Sequence, residues 1–241
     1  MNISTWMNNM LLQQTLDLSI KSQRTFESFI CQTNMEAKRM LEFYIKNPSD
    51  TMIILKGDTG TGKTHLLHAA CHLYQQSGRH ASYIPMRNPA DIESLLTRPL
   101  SGELVCIDDV SNASTHDDLE HLLFRLYNHA ELAGCKLIWS MNKKQEFARK
   151  DLKSRQQAML AIELIPYSLE EVHQIIMQYI HHAQSQITED ACKLLTKNYT
   201  RSIPKLISKI KEIEAHACSV QRKVTLKMVR DLISSDLHQL D

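Results

Sequence analysis

A chain of 241 residues is long enough for one large domain or two small ones around a sizeable core. Its 28 Lys and Arg nearly cancel its 27 Asp and Glu, and a net charge of +1 argues against a protein that grips a nucleic-acid duplex through a basic face. A hydrophobic share of 43%, with no 18-residue apolar run and no basic leader, points away from membrane spans and secretion, and the scattered cysteines without a CxxC pair read as reduced thiols of a cytoplasmic protein.

Residues 1–22 are polar and rich in Gln and Asn, with a short apolar patch at Leu11, Leu12, Leu16, Leu18 and Ile20; they read as an arm outside the core. From residue 23 to 166 short apolar runs alternate with helical patterns. The runs are Met52–Leu55, Ala81–Met86, Leu104–Ile107, Leu137–Met141 and Leu160–Ile165, and amphipathic stretches such as His65–Gln76 and Leu119–Ala133 separate them. Continuous apolar runs between helices predict a five-stranded parallel sheet covered on both faces, an α/β fold. After Pro166 the strand signal stops. Ser168-Leu-Glu-Glu171 predicts a capping box, and further helices are expected near 188–198, 202–218 and 225–236, so residues 167–241 read as a small all-α unit.

One segment carries chemistry by itself. Gly57-Asp58-Thr59-Gly60-Thr61-Gly62-Lys63-Thr64 matches GxxxxGK[ST] between an apolar strand and an apolar helix, the context a P-loop requires. Its glycines let the backbone turn its N–H groups toward phosphate, Lys63 faces the β and γ oxygens, and the Thr64 hydroxyl suits Mg²⁺. Three of the chain's six glycines fall here, so the loop is not a by-product of a glycine-rich composition. The strand end Leu104-Val-Cys-Ile-Asp108-Asp109 supplies the acidic half of such a site. Asp108 suits Mg²⁺ through water, and Asp109 either orients an attacking water or merely ends the strand. ATP or ADP with Mg²⁺ is the expected ligand. His65, His68 and His72 follow at helical spacing, but no HExxH or paired-Cys pattern accompanies them, and they read as packing or surface residues.

From Gly60 to Ala70, GTGKTHLLHAA, the chain resembles the DnaA/Hda group of AAA+ proteins, and further segments extend the likeness over nearly all of it. The resemblance implies an AAA+ domain followed by a helical lid. It makes Thr25-Phe-Glu-Ser-Phe29 an entry segment covering the adenine side, with His65 beside the nucleotide. It makes Leu137-Ile-Trp-Ser-Met-Asn142 the sensor-1 strand, placing Asn142 (or Ser140) near the γ-phosphate. Arg155, in Asp151-Leu-Lys-Ser-Arg155, corresponds to the arginine finger, and Arg201 to the sensor-2 arginine of the lid. Initiators of the group continue into a helix-turn-helix DNA reader, whereas this sequence ends at Asp241, which favours the shorter, regulatory members. Gln13-Gln-Thr-Leu16-Asp-Leu18 fits their QxxLxL peptide for the polymerase sliding clamp. The implied role is negative regulation of replication initiation: clamp binding, pairing with DnaA as a homo-oligomer-forming AAA+ protein, and stimulation of DnaA-bound ATP hydrolysis, with DNA contact indirect. A loader-type DNA-associated ATPase and a self-sufficient ATPase are the alternatives.

Overall fold

The computed structural model describes residues 24–30, 32–48, 52–113 and 116–237. The proposed clamp peptide, Gln13, Leu16 and Leu18, therefore lies outside the described residues. The chain divides into two compact units, with the boundary between Pro166 and Tyr167.

The first unit is built on strands β1 (Ile53–Gly57), β2 (Ala81–Pro85), β3 (Leu104–Asp108), β4 (Lys136–Met141) and β5 (Leu160–Leu164). They form one sheet in the order β2-β3-β4-β1-β5, every pair parallel. Helices α1 (Met35–Lys46), α2 (Lys63–Gln76), α3 (Pro89–Leu95), α4 (Asp117–Leu132) and α5 (Lys150–Ala158) connect and cover the strands. The sequence pattern and the sheet agree for a physical reason. Strands β3 and β4 are buried along their whole length, so both faces select apolar residues, whereas edge strand β5 exposes Leu160, Ala161 and Glu163.

Strand ends differ slightly from the apolar runs. β1 extends to Gly57 because that residue still pairs with Leu164. β5 stops before Ile165 because the Asn34 amide takes over both of its backbone groups, donating to Ile165 O at 3.0 Å and accepting from Ile165 N at 2.9 Å. Asn34 is buried, so this clasp satisfies polar groups that water does not reach. Lys136 is treated the same way: its buried ammonium donates to Tyr44 O at 2.7 Å and Asn47 O at 2.8 Å, a cation against the carbonyl end of α1. Trp139 on β4, fully buried, meets Tyr127 and Phe147 edge-on at 6.0 and 6.1 Å and anchors one face of the core.

The second unit holds helices α6 (Leu169–His182), α7 (Glu189–Asn198), α8 (Ile203–Ser219) and α9 (Leu226–Leu237). The capping box forms: Ser168 Oγ accepts from Glu171 N at 3.2 Å, and the Glu171 carboxylate accepts from Ser168 N at 2.9 Å. Val172, Ile176, Leu195, Leu206, Ile210, Ile213, Val229 and Ile233 form its own core. Among the described residues, no helix is long and apolar enough to cross a membrane. Cys71, Cys106, Cys135 and Cys192 are buried free thiols, and Cys218 is an exposed one.

Candidate functional site

The carboxyl edge of a parallel sheet gathers strand-to-helix turns, and here it gathers the chemistry. β1 ends at Gly57, where a Cβ would stand 2.6 Å from Thr61 Oγ1 and 3.0 Å from Leu164 O; only glycine fits. Gly60 and Gly62 follow with φ of 87° and 95°, left-handed conformations that turn the loop over the start of α2. Thr61 is buried and ties the loop to itself through its hydroxyl, 2.8 Å from Asp58 O, while Asp58 and Thr59 are exposed at its tip. No side chain caps α2, which leaves its first N–H groups available to an anion held on the loop's concave side. The Lys63 ammonium lies across that side, donating to Gly57 O at 2.6 Å and Asp58 O at 3.0 Å. Burial pulls it below the usual lysine range, while Asp109, Asp108 and Asp58 oppose that shift.

Asp108 is the hub. Its Oδ2 accepts from Thr64 Oγ1 at 2.7 Å and from the Tyr83 hydroxyl at 2.7 Å, and its Oδ1 accepts from Ser140 Oγ. Burial and the facing Asp108 carboxylate push the Tyr83 phenol well above its usual range, so it remains a donor. The hydroxyl of Thr64 and the carboxylate of Asp108 are the hard oxygen donors that Mg²⁺ prefers, at the mouth of a loop shaped for phosphate; the residues present fit both.

Asp109 is exposed and sits at φ 60°, which an aspartate tolerates better than most residues. Two bonds hold it there: its N–H donates to Ser140 Oγ at 2.8 Å, and Asn112 Nδ2 donates to its carboxylate at 2.9 Å. Asn142 follows β4, which runs between β1 and β3, and its N–H donates to Ser111 Oγ at 2.8 Å. Ser140, the other sensor-1 candidate, is fully buried on Asp108.

His65 points elsewhere. Its Nε2 lies 2.9 Å from Thr25 O and 3.4 Å from Ser28 Oγ, and its ring stands 5.2 Å from that of Phe29. A carbonyl only accepts, so Nε2 carries the proton, and the imidazole pins the entry segment to α2. Burial lowers its pKa from 6.5 to about 4. Between those values the unfolded chain binds a proton that the folded chain refuses, so stability falls as pH drops from 6.5 toward 4. The expected loss is on the order of 3 kcal/mol. Thermal melts at pH 7 and pH 4.5 should show a steeper decline for the wild type than for His65→Gln, which keeps a donor but cannot titrate.

Arg155, in the last turn of α5, is half-exposed; its guanidinium lies 3.5 Å from Glu131 and 5.2 Å from the Tyr127 ring centre. Its helix is set by Glu120, a buried carboxylate of α4 that accepts from Ala148 N at 2.8 Å and Arg149 N at 2.7 Å. Arg201 belongs to the second unit, exposed on the turn before α8. The structure thus brings together Gly57 to Thr64, Asp108, Asp109 and Asn142. It adds Tyr83 and Glu120, which sequence reasoning missed; neither carried a signal in the sequence, because each acts on a segment at least 25 positions away.

Fold and loop define a P-loop protein with the AAA+ fold. No protein-family model matches the chain. Among solved structures, domain III of the replication initiation protein DnaA from Thermotoga maritima superposes with a TM-score of 0.72 at 22% identity, covering 88% of this chain and 96% of that one. DnaA bound to AMPPCP and single-stranded DNA gives 0.64 at 22%, covering 79% and 64%. The Thermotoga maritima Holliday junction branch migration motor RuvB gives 0.67 at 18%, covering 89% and 72%. The chain spans 65% of a further match, a DNA replication initiation factor, so it corresponds to about two thirds of such chains. At these identities the likeness is one of fold.

Proposed function

We propose that this chain binds ATP or ADP with Mg²⁺ at residues 57–64 and acts as an Hda-like negative regulator of replication initiation. The observation that carries the nucleotide reading is the Thr64–Asp108 contact at 2.7 Å beneath a loop whose Gly57 has no room for a Cβ. Gly57, Asp58, Thr59, Gly60, Thr61 and Gly62 supply the cradle and Lys63 the cation. Asp109 and Asn142 flank the γ-phosphate side, and Arg201, on the second unit, is the residue matching the sensor-2 arginine of the DnaA/Hda group. Bound Mg²⁺ would neutralise phosphate charge; Thr64 and Asp108 are the residues that would hold it.

The regulatory reading rests on the order of the motifs, the shared fold with DnaA domain III and the QxxLxL peptide. In it, Gln13, Leu16 and Leu18 dock on the DNA-loaded sliding clamp, and Arg155 completes the ATPase site of DnaA in trans, leaving the initiator in its ADP form. Arg155 suits that task because it is half-exposed and only loosely paired. The experiment is hydrolysis of DnaA-bound ATP with and without this protein and loaded clamp; no stimulation rejects the regulatory reading. A second reading, a self-sufficient ATPase, is favoured by Asp109 beside Asp108 and by the fold shared with RuvB. Turnover by the chain alone, undiminished without DnaA, would select it.

Burying two leucines contributes roughly 1.5–3 kcal/mol each, partly offset by ordering the peptide, so the docking should be weak but cleanly lost. Changing Gln13, Leu16 and Leu18 to Ala is expected to abolish capture on immobilised clamp while AMPPCP affinity stays unchanged. Retained capture would assign the clamp contact to another segment.

A further inference from the structure

Asp108 engages Tyr83 as well as the P-loop. The Tyr83 hydroxyl donates to Asp108 Oδ2 at 2.7 Å, the same oxygen that Thr64 Oγ1 approaches at 2.7 Å. The Tyr83 ring lies against the His68 ring, centroids 3.9 Å apart and planes 27° apart. Thr64 and His68 are one helical turn apart and lie on the same side of α2. That helix therefore grips Asp108 twice, directly through Thr64 and through His68 by way of the tyrosine ring. Ser140 restrains the other carboxylate oxygen.

We propose that Tyr83 is a positioning residue of the nucleotide site, holding Asp108 Oδ2 in the orientation that serves Mg²⁺. The argument is one of donors. A carboxylate that helps hold the metal must keep its plane when the Thr64 hydroxyl turns toward the ion. Tyr83 and Ser140 are the two donors that remain, one on each oxygen. A phenol on a stacked ring loses little freedom in making such a bond, and its acceptor is charged, which makes the bond a strong one. This rests on the nucleotide reading above.

The test is Y83F, which keeps the ring and removes only the hydroxyl. AMPPCP is titrated by calorimetry in excess Mg²⁺ and in EDTA, with thermal melts alongside. The expected result is an EDTA affinity equal to wild type and a magnesium-dependent gain in affinity reduced on the order of tenfold. A second pair moves the buttress instead of the hydroxyl. H68A should share the loss, and H68F, which restores an aromatic face, should recover it. A purely structural role would lower both affinities and the melting temperature together, and that outcome overturns the proposal. So does a Y83F protein with the full magnesium gain, in which case the nucleotide site itself stands. A wild-type chain that binds no AMPPCP in either condition rejects the site and Tyr83's role together.

Discussion

Arg155→Ala is expected to lose stimulation of DnaA-bound ATP hydrolysis by about 10³–10⁵-fold, the usual worth of an arginine finger, while clamp and AMPPCP binding persist. The effect is large because the guanidinium acts on charge that develops only as the phosphoryl group transfers. Arg155→Lys should fail as well, since an ammonium cannot reproduce a planar fork of donors. Folding should be nearly untouched. The side chain is half-exposed, and its contact with Glu131, at 3.5 Å, is a surface pair of small worth. Single-turnover hydrolysis of radiolabelled ATP on DnaA, with loaded clamp present, measures this directly. Full stimulation by Arg155→Ala would pass the role to another arginine, with Arg149 first in line. Arg149 is held more firmly, its guanidinium 2.9 Å from Asp117.

Lys63→Ala is expected to weaken AMPPCP and ADP binding at least about 100-fold, because two charge-assisted hydrogen bonds to phosphate vanish with the cation. In the structure the ammonium spends its hydrogens on Gly57 O and Asp58 O, and Asp108, Asp109 and Asp58 surround it. Its removal leaves those carboxylates facing the phosphates uncompensated, which adds repulsion to the lost attraction. The sheet should survive, since Lys63 lies at the first residue of α2 and outside the apolar core. Calorimetric titration gives the affinity and a melt gives the fold. Unchanged affinity in a folded variant would reject the loop as the phosphate site.

The parts of the site that were legible are those whose chemistry is local. The P-loop is contiguous, so its glycines, Lys63 and Thr64 can be recognised without knowing where any other strand lies. Asp108 and Asp109 were legible because a buried strand ending in acid is a short pattern. His65 shows the limit. Its neighbours in sequence are P-loop residues, yet its hydrogen bond goes to Thr25, 40 positions away, and its imidazole is spent on the entry segment. Tyr83 shows it again. Nothing around Ala81–Pro85 signals a bond to Asp108, 25 positions on; the adjacency exists only because β2 pairs with β3.

By itself the sequence determined the five-stranded α/β architecture, the glycine-built turn at 57–62 and the capped start of α6, because each follows from periodicity, glycine placement or a capping box within a few residues. Tertiary structure alone decided how those pieces are oriented. The start of α5, and with it the position of Arg155, depends on Glu120, whose carboxylate accepts the Arg149 N–H from 29 positions away. The end of β5 depends on Asn34, 131 positions from Ile165. The orientation of Asp108 depends on hydroxyls from α2, β2 and β4. A hydrogen bond needs two groups within about 3 Å, and which distant groups meet that condition is settled by sheet order and helix packing rather than by the residues on either side.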